Sequence, residues 1–274
     1  MPVFKRKSKK KPDKDSVENS TMSLGDHLEE LRMRLLLALG GLAIAFIICL
    51  VFGKYIIEFV KLPYAQVMTE NIKSISSKDP NTFEIKEHTK LIVLAPAEVM
   101  ISYIKICLIS GLVISSPWVF YQLWMFIAAG LYPHEKKYVH LAVPFSAILF
   151  IAGALFFLFV VARICLGFFI RFSDILNIDR KWTLQYYVSF ITHLMLVFGL
   201  AFQTPTAIFF LNRTGLVSLK TLSNSRKYVI LVIVIVAAMV TPPDVVSQIA
   251  LAVPLYALFE MGILLSYLAG RKSS

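Results

Sequence analysis

Along its 274 residues the chain alternates long uncharged stretches with short polar, charged ones, and that alternation predicts its elements. Leu24, Leu28 and Leu31 within 23–34, and Leu35 just after it, recur at helical spacing, predicting an amphipathic lead-in helix with Asp26 and Glu29 as a capping box. Glu30 and Arg34 lie on one flank of that stripe and Glu29 and Arg32 on the other, so two surface ion pairs of about 0.3 kcal/mol each are expected. Residues 35–53 carry no charge and are long enough, at about 1.5 Å per residue, to cross roughly 30 Å of hydrocarbon.

Polar sequence from 54 to 94, broken by Pro63 and Pro80, predicts an extramembrane loop with room for two short helices. The second span is expected at 96–116, apolar apart from Glu98 and Lys105, which are seven positions apart and so share one helix face. Between Pro117 and Pro133 stand Trp118, Phe120, Tyr121, Trp124 and Phe126, followed by Glu135. This stretch predicts a folded loop at a membrane surface, with Trp118 and Trp124 as headgroup-level anchors. Residues 141–162 give a third span, 163–187 a loop and 188–211 a fourth span. Its middle holds His193, Gln203, Thr204 and Pro205; proline removes a backbone bond and Gln203 places an amide in hydrocarbon, so a kink facing a partner or groove is expected. The last two apolar runs, 228–241 and 245–259, are short, some 21 to 23 Å, and call for snorkelling or local bilayer thinning; Glu260 interrupts the second.

At 57% hydrophobic and 16% charged residues the composition is that of an integral membrane protein. The net charge of +11 lies largely in the tail and loops, where it sets orientation rather than binding nucleic acid. Lys and Arg favour the side of the N-terminal tail by 17 to 10, so six spans with both termini cytoplasmic are expected. Residues 1–22 read as a disordered basic cytoplasmic tail, 23–270 as the membrane domain and 271–274 as a cytoplasmic C-terminus. Cys49, Cys107 and Cys165 show no disulfide or metal spacing and read as packing residues, and neither a catalytic motif nor a cofactor signature is present.

Four blocks, HLEELRMRL at 27–35, SPWVFYQLWMFIAAGLYPHEKK at 116–137, FGLAFQTP at 198–205 and TPPDVVSQ at 241–248, resemble in order and spacing the TatC family of the twin-arginine protein translocase. The resemblance runs from about 23 to 270 and implies an all-α polytopic protein: a rigid, curved six-helix bundle, concave on one face, with short fifth and sixth helices. It implies a multi-pass protein of the bacterial cytoplasmic membrane, or of an organelle membrane. It also implies a non-enzymatic receptor for signal peptides with two consecutive arginines, which recruits TatA-like and TatB-like single-span partners and exports folded proteins using the proton-motive force. A homo-oligomer within the complex is implied as well. Carried over by motif, Glu30, Arg32, Phe126 and Glu135 form the signal-peptide site, Gln203 is the membrane-embedded polar residue, and Asp244 with Gln248 form an outer-side polar pair. Gln203 departs from the family's common Glu and cannot take up charge there. Two separated carboxylates suit the task because each can meet one planar guanidinium bidentately, a geometry lysine cannot reproduce. A secondary transporter, with a polar ion site at mid-depth, is the competing reading.

Overall fold

The computed structural model describes residues 24–76, 91–131, 136–176, 178, 182–240 and 245–271. The basic tail, Glu135, Asp244 and residues 272–274 lie outside the described residues. Within them the chain is helical, apart from one isolated parallel bridge between Ile92 and Thr183.

Helix α1, Leu24–Val51, joins the lead-in helix and the first span without a break. Asp26 therefore lies inside the helix and not at its cap. Two short helices follow as expected, α2 (Gly53–Val60) and α3 (Leu62–Ser76).

Helix α4, Pro96–Ala129, is 34 residues long and corrects the loop expected at 115–138: the helix passes straight through Pro117 and ends at Gly130. The cause is local. Proline at 117 cannot donate to the Val113 carbonyl four residues back, but the Ser116 hydroxyl donates to that carbonyl at 2.7 Å. The acceptor stays satisfied, and the aromatics from Trp118 to Phe126 become helix faces.

The third span is also longer than expected. Helix α5 (Lys136–Phe156) continues through a wide turn at Phe157–Val161 into α6 (Ala162–Ile175), so most of the loop predicted at 163–187 is helical. The fourth span kinks where predicted. Helix α7 (Leu184–Ala201) stops at Phe202, Gln203 N–H turns back to the Leu200 carbonyl at 3.0 Å, and α8 (Thr204–Arg213) restarts with Pro205 in its first turn.

After the short α9 (Leu219–Asn224), α10 (Arg226–Val240) is the short fifth run, 15 residues or about 22 Å. The sixth helix is not short: α11 runs Val245–Arg271, 27 residues, straight past Glu260. That carboxylate is held by Arg226 through two nitrogens, at 2.8 and 2.9 Å, and by the Tyr256 hydroxyl at 2.8 Å, so it does not need the helix to end. Among the described residues, five stretches are long and apolar enough to cross a membrane: His27–Val51, Pro96–Ala129, Val139–Ile175, Leu184–Arg213 and Val245–Leu268.

The core lies where α4 to α7 meet α11, around Ile106, Phe157, Leu166, Ile191, Phe198 and Leu251. Helix α1 stands apart from it and packs on α4. At Gly111 a Cβ would come within 3.1 Å of the Phe46 backbone, so the two helices touch main chain to main chain. The start of α1 and the end of α4 thus share one end of the bundle, called the inner end after the orientation expected from the positive charges; Leu50 and Tyr103 mark the opposite, outer end, where the Tyr103 hydroxyl donates to the Leu50 carbonyl.

Candidate functional site

The inner end gathers side chains from α1 and α4. His27 stacks on Phe126 with ring centroids 4.6 Å apart and planes inclined by 24°, and a Cβ at Gly130 would lie 3.6 Å from the His27 ring. One turn along α1, Glu30 accepts from Arg34 at 3.2 Å. The second guanidinium nitrogen of Arg34 donates to the Gln122 side-chain oxygen at 3.3 Å, and Gln122 is only 2% exposed. Glu29, Glu30, Met33 and Arg34 line an open pocket. A part-buried carboxylate, an aromatic shelf and a buried amide acceptor are thereby set side by side. This is an arrangement for holding guanidinium groups.

Of the residues expected to form the signal-peptide site, Glu30 and Phe126 stand on the two elements that meet here. Arg32 is exposed on α1 and is not among the residues lining the pocket. Of the two ion pairs expected on α1, that of Glu30 with Arg34 forms; among the described residues, none joins Glu29 to Arg32. Sequence reasoning missed His27 and Gln122. The spacing of His27, Glu30 and Arg34, at three and then four residues, puts them on one helix face, and Gln122 is a lone amide one turn before Phe126, so both signals were present.

Deeper in the membrane, Gln203 donates to the backbone carbonyl of Ser146 at 2.9 Å, and Trp124 donates to the Ser146 hydroxyl at 2.9 Å. Trp124 is buried and meets Phe210 edge to face at 4.8 Å, so it is a packing residue that ties α4 to α5 and α8, not a membrane anchor. Trp118 is 44% exposed, as an anchor would be, but its indole also donates to the Leu37 carbonyl of α1 at 2.9 Å.

At the outer end Glu98 and Lys105, which share one helix face, are bonded separately. Both Glu98 oxygens are taken by backbone N–H groups, Leu94 at 2.8 Å and Gln185 at 2.7 Å, whereas Lys105 donates to the Ser189 hydroxyl at 3.1 Å. Glu98 is therefore a structural tie between the entries of α4 and α7. Gln248 donates to the Val234 carbonyl at 3.2 Å and joins α11 to α10. Cys49, Cys107 and Cys165 are buried thiols outside any disulfide, and among the described residues no cluster of metal-ligating side chains occurs.

An all-helical, multi-spanning membrane protein whose charged site lies at one end of the bundle, and not in a central pore, is the class that fold and site define. The profile of the family described as "Sec-independent protein translocase protein (TatC)" matches residues 26–254. The chain belongs to the TatC family. It is 40% identical over 246 residues to the Sec-independent protein translocase protein TatC of Helicobacter pylori strain J99, covering 89% of this chain and 88% of that one. It is 34% identical to the TatC of Aquifex aeolicus, covering 92% of this chain and 97% of that one. A solved structure described as the twin arginine translocase receptor TatC superposes with a TM-score of 0.71 at 33% identity, covering 89% of this chain and 99% of that chain. The protein is thus a component of the twin-arginine translocase and a multi-pass protein of the bacterial inner membrane.

Proposed function

We propose that this chain is the signal-peptide receptor and core subunit of its translocase. Glu30 and Glu135 bind the paired arginines of the signal peptide from the cytoplasm, Arg32 and Phe126 line the same site, and the peptide's apolar part runs along the groove past Gln203. Asp244 and Gln248 form the outer polar pair. The six spans of the 23–270 domain keep both termini in the cytoplasm, the TatA-like and TatB-like single-span partners and further copies of the chain assemble around it, and the proton-motive force drives export of the folded cargo.

The observation that carries this reading is that Glu30 already holds a guanidinium, that of Arg34, where α1 meets the end of α4. The family membership supports it. A cross-linking assay with a twin-arginine peptide tests it: Glu30→Arg or Glu135→Arg is expected to abolish the cross-link. Undiminished cross-linking in both variants removes these residues from the site.

A further inference from the structure

We infer that Arg34 is a resident placeholder in the Glu30 site and that Gln122 is the acceptor that takes Arg34 over when an incoming arginine displaces it. This rests on the receptor reading above and adds to it the residues that set discrimination.

The free site is not an open carboxylate. Glu30 and Arg34 are about three-quarters buried, with 21% and 25% of their side chains exposed, and they face each other at 3.2 Å. A peptide arginine that takes Glu30 must therefore break an existing pair, and breaking a part-buried pair is unfavourable when the released charge has nowhere to go. Here it has somewhere to go. The other nitrogen of Arg34 already reaches the Gln122 oxygen at 3.3 Å, and Gln122, 2% exposed in an otherwise apolar stretch of α4, has its amide turned toward α1. A buried amide in a membrane helix is costly unless it has a partner, and Arg34 is that partner. Displacement shifts Arg34 from two acceptors to one without abandoning it.

The exchange favours arginine. A guanidinium replacing a guanidinium restores a fork of parallel donors to the carboxylate, whereas an ammonium offers a point charge of different geometry and stronger hydration. Specificity then arises because each candidate is compared with an arginine already in place, and net affinity stays modest, which suits a cargo that must be released.

The two residues give opposite signs, which a merely structural role would not. With the full chain purified in detergent, fluorescent twin-arginine and twin-lysine signal peptides are titrated against Arg34→Gln, Gln122→Leu and Glu30→Gln. Arg34→Gln is expected to tighten twin-arginine binding on the order of fivefold and to tighten twin-lysine binding more, narrowing the ratio between them. Gln122→Leu is expected to weaken twin-arginine binding several-fold. A second removal of the planar fork, Arg34→Lys, is expected to narrow the ratio in the same direction, and thermal melting of each variant reports on its fold. If Glu30→Gln abolishes binding while Arg34→Gln and Arg34→Lys weaken it, the placeholder is overturned and the receptor reading stands. If Glu30→Gln leaves binding unchanged, both fall together.

Discussion

At the scale of single residues, the lesson is where carboxylates and amides end up once neighbours are known. Glu98, which shares a helix face with Lys105, accepts two backbone N–H groups, that of Leu94 just before its own helix and that of Gln185 in the first turn of α7. Replacing it with Gln puts an amide NH2 against one of those donors, so Glu98→Gln is expected to lower the thermal midpoint of the detergent-solubilised protein while peptide binding at the inner end stays intact; a melting curve and a titration together check this. Gln203 shows the same logic in mid-membrane. Its amide bonds the Ser146 carbonyl at 2.9 Å, so Gln203→Leu loses one hydrogen bond at a cost of about 1 kcal/mol, measurable as a shift in the same melting curve. The ion pair of Glu30 with Arg34 was legible because both partners lie on one turn of one helix. The distant partners of Glu98, Trp124 and Gln122 were not, because they lie 87, 22 and 88 positions away, and no spacing rule reaches that far.

At the scale of elements, most spans were readable from uncharged length, and the kink at Pro205 from its composition. The misreadings share one physical origin. Pro117 breaks a helix by rule and the charge of Glu260 ends an apolar span by rule, and each is offset by a compensating bond: the Ser116 hydroxyl to the Val113 carbonyl, and Arg226 with Tyr256 to Glu260. The first compensation makes a direct prediction. Ser116→Ala strands the Val113 acceptor and is expected to cost about 1 kcal/mol, whereas Ser116→Thr keeps the hydroxyl and the stability, as paired melting curves would show. Close packing of α1 on α4 makes another. A Cβ at Gly111 would stand 3.1 Å from Phe46 backbone atoms, which cannot swing aside as a side chain can. Gly111→Ala is therefore expected to destabilise by about 1–3 kcal/mol and, by parting α1 from α4, to loosen peptide binding at the distant inner end; titration with a twin-arginine peptide reads the second effect.

At the scale of the whole molecule, the helices are unequal in reach. Helix α10 spans about 22 Å, and its first residue, Arg226, is tied to the middle of α11 at Glu260. With Arg226 46% and Glu260 32% exposed, solvent screening limits that tie, and a double-mutant cycle on the two residues is expected to give a coupling of about 0.5–1 kcal/mol. Helix α4 is the opposite case. Its 34 residues measure roughly 50 Å, some 20 Å more than the oily layer it crosses, with Glu98 at its outer start and Phe126 in the last turn of its inner end. Cut in two by a flexible joint at Pro117, such a rod would let its tip sag among the lipid tails. Kept whole, with the Ser116 hydroxyl holding the Val113 acceptor, it is a mooring post long enough to stand clear of the tide line; on the receptor reading proposed above, a passing chain is caught in open water, at a rate that added salt should slow, before any of it is asked to leave the water.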